Sequence, residues 1–206
     1  MRWYPYRIPD FFSKIFKGLV WHKDRSQKIV YLTFDDGPTP EVTEFVLDTL
    51  DEFDFKATFF CIGDCVARHP ILFNRIQHDG HAVGNHTYNH LNAWKTNRSA
   101  YLENVQSASE SINSSLFRPP YGRLTPKIVR EIKSLGFRII MWDVLSGDFD
   151  AGRSAESCLE NVITNTRNGS IIVFHDSQKA KQKLFKILPD FCKTLKSQGF
   201  KSVALA

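Results

Sequence analysis

The chain has 206 residues, of which 42% are hydrophobic and 24% are charged. These values are typical of one globular domain and exclude disordered, collagen-like and low-complexity chains. The formal net charge is +5, which suits a nucleic acid, a membrane surface or an acidic glycan as a partner but selects none of them. The four cysteines are too few for a disulfide scaffold in a chain of this length, and we expect them to be buried or partly buried free thiols.

The N-terminal segment, residues 1–28, is interpreted as an extension that precedes a main domain at residues 29–206. Charged side chains interrupt its first 18 residues, so no secretory signal peptide is predicted, and no stretch reaches the roughly 20 apolar residues of a membrane span. Apolar residues between Phe11 and Leu19 have helical spacing, which predicts a short amphipathic helix. This helix either contacts a membrane surface or packs across one end of the domain, and we favour packing. The expected location is cytoplasmic or peripheral to the inner membrane face.

From residue 29 onward, strand-like runs alternate with amphipathic helical patterns. The predicted strands are Ile29–Phe34, Ala57–Ile62, His81–Asn85, Leu116–Arg118, Phe137–Asp143, Ile171–His175 and Lys201–Leu205. The predicted helices are Glu41–Phe53, Val66–His78, Ser99–Ser111, Pro126–Leu135, Ala155–Thr166 and Lys183–Ser197. The alternation indicates a parallel α/β fold. It is either an incomplete barrel or an open doubly wound sheet, because a regular eight-fold barrel usually needs about 250 residues. Both folds place their active sites at the carboxyl ends of the strands.

Two adjacent carboxylates, Asp35 and Asp36, follow the first predicted strand in the sequence TFDDGP at residues 33–38. Neighbouring side chains on an extended backbone point in different directions, so one carboxylate can bind a metal while the other faces a substrate. A solvated turn is the alternative, since Asp, Gly and Pro are all frequent in turns.

Two histidines, His86 and His90, follow the third predicted strand and are four residues apart. In a helical turn this spacing puts both imidazoles on one face, where they can converge on one cation. An isolated pair of this kind is more often structural. Together with Asp36, however, the pair completes a His–His–carboxylate set, and three protein ligands leave coordination positions open for catalysis.

Further polar residues follow the later strands. Arg118 precedes two prolines, which hold the backbone extended and can aim the arginine at a fixed point; the alternative is a rigid connector with Arg118 on the surface. The fifth predicted strand ends at Trp142–Asp143, and Asp148 follows in the next loop. The sixth ends at His175, and an imidazole with a carboxylate nearby is what a general acid or base requires.

Taken together, these motifs resemble the polysaccharide deacetylase family (carbohydrate esterase family 4, the NodB homology domain), which contains metal-dependent deacetylases of chitin, chitooligosaccharides and peptidoglycan. The most specific matches are TFDDGP at 33–38, HTYNH at 86–90 and RPPYG at 118–122. The resemblance extends from about residue 29 to the C terminus. It implies a distorted, incomplete (β/α)7 barrel and a hydrolase that acts on carbon–nitrogen bonds other than peptide bonds.

The same resemblance implies a metal centre and a general base. Asp36, His86 and His90 would bind a divalent cation, with zinc expected first and cobalt or nickel as substitutes. Asp35 would be the general base that takes a proton from the attacking water. Arg118 would pair with Asp35 and hold it in place.

The resemblance also implies a general acid and a substrate pocket. His175 would protonate the leaving amine, and Asp148 would orient this imidazole and raise its pKa. The backbone N–H of Tyr121 would help to stabilise the oxyanion. The pocket for the acetyl methyl group and the adjoining substrate surface would be lined by Phe149, Val173 and Trp142.

The predicted function is the removal of N-acetyl groups from a glycan that contains N-acetylglucosamine, such as peptidoglycan, a chitooligosaccharide or a glycan precursor. One alternative keeps the site and changes the substrate to O-acetylated xylan or a small amide. The other alternative is a silent glycan- or nucleic-acid-binding module that uses the lysines between residues 179 and 186. We interpret these lysines as the solvated face of the last helix. The expected partner is therefore an acetylated glycan and not a nucleic acid.

Overall fold

Nine parallel strands form the framework of the protein, whose computed structural model describes residues 6–16 and 18–206. The strands are β1 (Leu19–Val20), β2 (Ile29–Asp35), β3 (Ala57–Cys61), β4 (Ala82–Asn85), β5 (Leu116–Phe117), β6 (Arg138–Ile140), β7 (Val144–Leu145), β8 (Ile171–His175) and β9 (Lys201–Ser202). The helices are α1 (Phe11–Ile15), α2 (Val42–Glu52), α3 (Gly63–Arg68), α4 (Pro70–His78), α5 (Arg98–Ser109), α6 (Pro126–Ser134), α7 (Ala155–Asn165) and α8 (Lys181–Ser197). A 3-10 turn covers Pro120–Gly122.

The strand order is β1-β6-β5-β4-β3-β2-β8-β7, with β9 paired to the start of β2. The stretch 138–145 contains both β6 and β7; it pairs with β5 at its beginning and with β8 at its end. This change of partner curls the sheet on itself. The N–H of Ile8 donates to the carbonyl of Asp143 (2.9 Å) where the partner changes. The predicted distorted, incomplete barrel is confirmed.

The main core lies between the sheet and the helices that flank it. Phe34 of β2 stacks on Phe59 (5.1 Å between ring centroids) and on Phe174 (5.9 Å). The apolar face of α8 is buried as its spacing predicts. Each such side chain contributes about 1.5–3 kcal/mol through burial. The cysteines are all free, and three of them are buried: Cys61, Cys158 and Cys192.

Polar caps fix where several helices begin, and therefore where the loops of the site end. The side chain of Thr125 accepts the N–H of Ile128 at the start of α6, which has Pro126 as its first residue. Ser154 likewise accepts the N–H of Ser157 at the start of α7. Each cap satisfies a backbone donor that the first helical turn leaves free.

Some predicted elements differ from the structure. The helix predicted at Val66–His78 is two helices, α3 and α4, because Pro70 has no N–H to continue the first one. The strand predicted at Phe137–Asp143 is shorter, since the chain changes partner after Ile140. Strands β1 and β7 have two residues each, which is too short for a recognisable apolar period.

The N-terminal segment contributes to both the sheet and the core. Phe12 of α1 packs against Trp21, with 6.2 Å between ring centroids, whereas Phe11, Ile15 and Phe16 are exposed. Strand β1 pairs with β6. The boundary between residues 28 and 29 stays a prediction. Within the described residues, no helix has both the length and the apolar character needed to cross a membrane.

Candidate active site

The predicted site residues lie around one rim of the barrel, at the carboxyl ends of the strands. Asp35 is the last residue of β2 and His175 the last of β8, and the two are register partners. His86 directly follows β4, and Arg118 directly follows β5. Because the carboxyl ends of parallel strands share one rim, motifs far apart in sequence meet there.

Asp36, His86 and His90 form a candidate metal centre. Asp36 Oδ1 lies 3.2 Å from His90 Nε2 and 3.6 Å from His86 Nε2, and the ligand atoms of the three residues all lie within 4.8 Å of one another. In the described part of the chain this is the one group of three or more His, Cys, Asp or Glu side chains with such geometry. Two imidazoles and a carboxylate suit a divalent transition metal.

The surroundings of these side chains fit a cation. Asp36 Oδ1 is buried and has no well-aligned hydrogen-bond donor among the described residues, although His90 Nε2 is near it. His86 Nδ1 is 2.7 Å from the carbonyl oxygen of Arg118, a contact that places the proton on Nδ1 and leaves Nε2 free to bind a metal. Burial lowers the pKa of His86 to about 4, so its imidazole is neutral at neutral pH, as a metal ligand must be.

The two histidines converge through a loop, and the helical turn expected from their spacing is wrong. Thr87 and His90 have φ angles of 64° and 56°, and this left-handed backbone cannot belong to an α-helix. Asn85 Oδ1 accepts the N–H of Thr87 (2.8 Å), and Asn104 Oδ1 accepts those of the next two residues (2.9 Å each). Side-chain amides therefore hold the loop that orients the imidazoles.

The carboxylate of Asp35 is paired with a buried guanidinium. Arg118 Nη1 donates to Asp35 Oδ1 and to Thr33 Oγ1, both at 2.7 Å. Its Nε and Nη2 donate to the carbonyls of Ile140 (3.3 Å) and Met141 (3.0 Å). Arg118 is fully buried, so the alternative of a surface position is wrong. These four bonds fix the arginine, and the arginine fixes the Asp35 carboxylate.

His175 is paired with Asp148. His175 Nδ1 lies 2.8 Å from Asp148 Oδ1, and the backbone N–H of His175 donates to Asp148 Oδ2 at 2.8 Å. Burial on its own would lower the pKa of His175. The charges of Asp148, Asp36 and Asp35, with the hydrogen bond that His175 donates to Asp148, raise the pKa of this imidazole to about 9. His175 is therefore an imidazolium at neutral pH, which can donate a proton.

Tyr121 and Trp142 lie on the side of the rim nearest His90. Tyr121 has a left-handed backbone with φ of 61°, and its ring is 4.7 Å from that of His90. Trp142 packs against Gly122, where an added Cβ would lie 2.5 Å from the indole. The Tyr121 ring is exposed, and its contact with a substrate stays a prediction.

Phe149 and Val173 lie beside His175, and their role as the acetyl pocket stays a prediction. The ring of Phe149 meets that of His175 edge-on at 4.9 Å between centroids. Val173 is buried on β8, two residues before His175, so both side chains project from the same face of the strand.

Asp176 is a residue of the site to which the sequence assigned no role. Asp176 Oδ1 accepts the N–H of Gly37 (3.0 Å), and Oδ2 accepts the hydroxyl of Thr43 (2.6 Å). Burial, together with the charge of Asp36, raises the pKa of Asp176 to about 7. Its carboxylate thus holds the backbone that follows Asp36. The one sequence signal for it is its position directly after His175.

Thr33 is the second such residue. Its hydroxyl donates to the carbonyl of Ile172 (2.8 Å) and accepts from Arg118. Thr33 precedes Asp35 by two residues on β2, and the period of two along a strand places both side chains on the same face. This two-residue spacing from Asp35 is the sequence feature that could have identified Thr33 as a residue of the site.

Comparison with known proteins adds a decisive observation. The family model described as polysaccharide deacetylase matches residues 22–140, more than half of the chain. The chain belongs to the polysaccharide deacetylase family. Polysaccharide deacetylases are hydrolases, and the metal-ligand, base and acid positions expected from the family lie together in this structure.

Two curated relatives of this polysaccharide deacetylase have named activities. A peptidoglycan-N-acetylglucosamine deacetylase of Bacillus cereus is 32% identical over 198 residues, which cover 91% of either chain. A chitooligosaccharide deacetylase of Azorhizobium caulinodans is 35% identical over 159 residues, which cover 74% of this chain and 75% of the relative. The protein is thus an enzyme, a polysaccharide deacetylase.

A solved structure is similar over nearly the whole length. The Bc1960 peptidoglycan N-acetylglucosamine deacetylase, in complex with 4-naphthalen-1-yl-N-oxidanyl-benzamide, aligns with a TM-score of 0.88 and 33% identity over 94% of each chain. The curled parallel sheet described above is therefore the barrel of this family.

Proposed function

We propose that this polysaccharide deacetylase removes N-acetyl groups from a glycan that contains N-acetylglucosamine, with a divalent cation at Asp36, His86 and His90. Zinc suits a site with three protein ligands and open positions, and cobalt or nickel binds the same donors. The relatives from B. cereus and A. caulinodans are named for peptidoglycan N-acetylglucosamine and for chitooligosaccharides. Peptidoglycan, a chitooligosaccharide or a glycan precursor is the proposed substrate.

The side chains divide the proton transfers between them. A bound cation would polarise the acetyl carbonyl and lower the pKa of a water molecule. Asp35, held by Arg118, accepts the proton of the attacking water. His175 donates its proton to the amine nitrogen as the carbon–nitrogen bond breaks, and Asp148 stabilises the imidazolium. The backbone N–H of Tyr121 donates to the oxyanion, a contact worth about 3–4 kcal/mol.

One observation carries this proposal: two oppositely paired acid–base groups flank Asp36, a carboxylate whose Oδ1 is buried. Asp35 is paired with a cation, whereas His175 is paired with a carboxylate. This arrangement puts a candidate proton acceptor and a candidate proton donor side by side. Phe149 and Val173, beside His175, would enclose the acetyl methyl group.

Acetate release from peptidoglycan, chitooligosaccharides and acetylated xylan tests the proposed reaction. The zinc-loaded protein should release acetate from at least one of the two N-acetylated glycans. Asp35→Asn keeps the shape and removes the base, so kcat/KM should fall about 10²–10⁴-fold. Lys193→Ala, at an exposed position of α8, is the control. Activity on xylan alone would establish an O-acetyl esterase, and an unchanged rate in Asp35→Asn would refute the role of Asp35.

Metal analysis tests the ligand set independently of activity. His86→Ala should lose most of the zinc that the wild-type protein retains after dialysis, because two ligands remain of three. His78→Ala is the matched control, since the His78 side chain is 90% exposed. Retention of stoichiometric zinc by His86→Ala would show that the cation binds elsewhere.

We also propose that α1, which packs on the domain through Phe12 as the favoured interpretation expects, contacts a membrane surface through its other face. Phe11, Ile15 and Phe16 are exposed, whereas Phe12 packs into the core, so contact would be peripheral and would leave the barrel outside the bilayer. Co-sedimentation with vesicles of anionic lipid should be lost in the double variant Phe11→Ser with Ile15→Ser. Equal sedimentation of both proteins would contradict the proposal.

A further inference from the structure

The exposed aromatic residue Trp94 lies in the loop between β4 and α5. Trp94 is 63% exposed, yet its Nε1 donates to the carbonyl oxygen of Leu124 at 3.0 Å. A hydrogen bond therefore fixes this indole on the surface. An aromatic side chain that is already fixed loses little conformational entropy when a ligand packs on it.

Arg123 lies over the same indole. Its Cζ is 4.9 Å from the centroid of the Trp94 ring, and it forms no ion pair with a carboxylate in the described part of the chain. The guanidinium is held by the ring and keeps its hydrogen-bond donors for a ligand. Trp94 and Arg123 together are called the Trp94–Arg123 pair below.

This pair is continuous with the candidate active site. Trp94 follows the metal-ligand candidate His90 by four residues, and Arg123 follows Tyr121 by two. The rings of His90 and Tyr121 are 4.7 Å apart. Because consecutive Cα atoms are 3.8 Å apart, the Cα of Arg123 lies within about 8 Å of the Cα of Tyr121. A glycan with one acetamido group at the metal centre can therefore extend across the Trp94–Arg123 pair.

The two chain segments that carry the Trp94–Arg123 pair have an excess of positive charge. The two segments that meet there, 92–99 and 121–130, contain no Asp or Glu. Their cationic residues are Lys95, Arg98, Arg123, Lys127 and Arg130. Arg98 is paired with Glu131, the residue that follows the second segment. The remaining excess of positive charge attracts an anionic ligand.

We propose that the Trp94–Arg123 pair is a subsite for a carboxylate-bearing glycan strand, an inference that rests on the proposed deacetylase function. The C–H face of a sugar ring packs on the indole of Trp94, and Arg123 binds a carboxylate of the strand. A neutral chitooligosaccharide uses the packing contact alone. The subsite therefore favours acidic, peptidoglycan-type strands over neutral oligomers.

Acetate-release kinetics on two substrates of matched length test the subsite. One substrate is a soluble peptidoglycan strand that carries carboxylates, and the other is a neutral chitooligosaccharide. Arg123→Ala should raise KM about tenfold for the acidic strand, the effect of losing one charge-assisted contact, and leave KM for the neutral oligomer unchanged. Trp94→Ala should raise KM for both substrates. The kcat values should stay near those of the wild-type protein.

Matched variants separate the subsite from general effects of charge and folding. Lys193→Ala makes the same charge change on α8, and Ile71→Ala removes another exposed apolar side chain, on α4; neither should change KM. Arg123→Lys and Trp94→Phe should recover part of the lost affinity.

Added salt should weaken binding of the acidic strand in the wild-type protein and less so in Arg123→Ala. An equal rise of KM for both substrates in Arg123→Ala, or no rise, would overturn the proposal.

Binding without turnover makes the two proposals distinguishable. In zinc-loaded Asp35→Asn protein, calorimetry should give a Kd for the acidic strand that rises about tenfold when Arg123→Ala is added. An unchanged Kd would overturn the subsite even if the wild-type enzyme releases acetate. A raised Kd, combined with no acetate release by the zinc-loaded wild-type protein, would support the subsite and refute the proposed function.

Discussion

At the scale of single residues, Asp148 is the main neighbour that keeps His175 protonated. Burial favours the neutral imidazole, and the paired carboxylate of Asp148 favours the imidazolium. Burial is the largest single effect, but the charges of Asp148, Asp36 and Asp35 together outweigh it, so that the pKa of His175 is raised to about 9. Asp148 therefore does more than orient the ring: it sets the pH range in which His175 can act as an acid.

Asp148→Asn should lower the pKa of His175, because burial then acts without its main opposing charge. A general acid must be protonated, so kcat/KM should decrease as pH rises through this pKa. In the variant that decrease should begin at lower pH than in the wild-type enzyme. The rate at neutral pH should also fall, about 10–100-fold.

A pH profile of kcat/KM at saturating zinc measures both effects of Asp148→Asn. Asp190→Asn makes the same isosteric change at an exposed position of α8 and should match the wild-type profile. The raised pKa also stabilises the fold: this contribution is present below the ordinary histidine pKa of 6.5 and is lost as pH rises through about 9. If kcat/KM decreases at the same alkaline pH in the wild-type enzyme and in Asp148→Asn, His175 is not the general acid.

At the scale of the elements, two turns with the same backbone conformation differ in what surrounds them. Gly169, before β8, has φ of +72°, and an added Cβ would lie 2.4 Å from the carbonyl oxygen of Asp24 and 2.5 Å from that of Lys23. Gly136, before β6, has φ of +90°, and an added Cβ would meet nothing within 4 Å. At Gly169 both the left-handed backbone and the neighbouring carbonyl oxygens exclude a side chain. At Gly136 only the left-handed backbone disfavours one.

Gly136→Ala should therefore lower the free energy of unfolding by about 1–2 kcal/mol, the cost of left-handed backbone with a Cβ. Gly169→Ala should lower it by about 2–5 kcal/mol, because the segment before β2 must also move to relieve the overlap. Urea unfolding of the two variants measures the difference. Equal losses of unfolding free energy in the two variants would show that the segment at Lys23 and Asp24 moves aside without destabilising the fold.

The sequence predicts long periodic elements and misses those defined by distant contacts. The apolar period of α8 and the β-branched run of β8 were sufficient to place both elements. The loop of His86 and His90 was assigned a helical geometry, because its true form depends on Asn104, a residue on another element. The same holds within the site, where the motifs identified the ligands but not their support by Asp176.

At the scale of the whole molecule, an ion-pair network ties the N-terminal segment to the closure of the barrel. Arg25 donates to Asp143 Oδ2 (2.9 Å) and to Asp10 Oδ1 (3.0 Å). Arg167 also pairs with Asp10. Asp143, which is buried between β6 and β7, accepts the N–H of Ile171 as well (2.9 Å). The network therefore joins three parts of the chain where the sheet changes partners.

Arg25→Ala should lower the free energy of unfolding by about 2–3 kcal/mol. This is less than the 3–5 kcal/mol typical of a fully buried pair, because Arg25 is partly exposed to solvent. Burial already raises the pKa of Asp143, and loss of Arg25 raises it further. A carboxyl group with a raised pKa in the folded state destabilises the fold as pH rises through that pKa.

The loss of unfolding free energy in Arg25→Ala should therefore be smaller in mild acid than above neutral pH. Urea unfolding at the two pH values measures this difference. Adding Asp143→Asn removes the buried charge, so the double variant should lose most of this pH dependence. A deficit that is independent of pH would contradict the assignment to Asp143.

Because Arg118 is buried and binds both the sheet and Asp35, its loss would impair folding and catalysis together. Its guanidinium binds the carbonyls of Ile140 and Met141 at the seam where the stretch 138–145 passes from β5 to β8, and it binds Asp35 as well. Any substitution there would loosen the seam and release the base in one event. A mutational scan could not separate tolerance of the fold from tolerance of catalysis at position 118, and an engineer who redesigns the site would have to leave this arginine untouched.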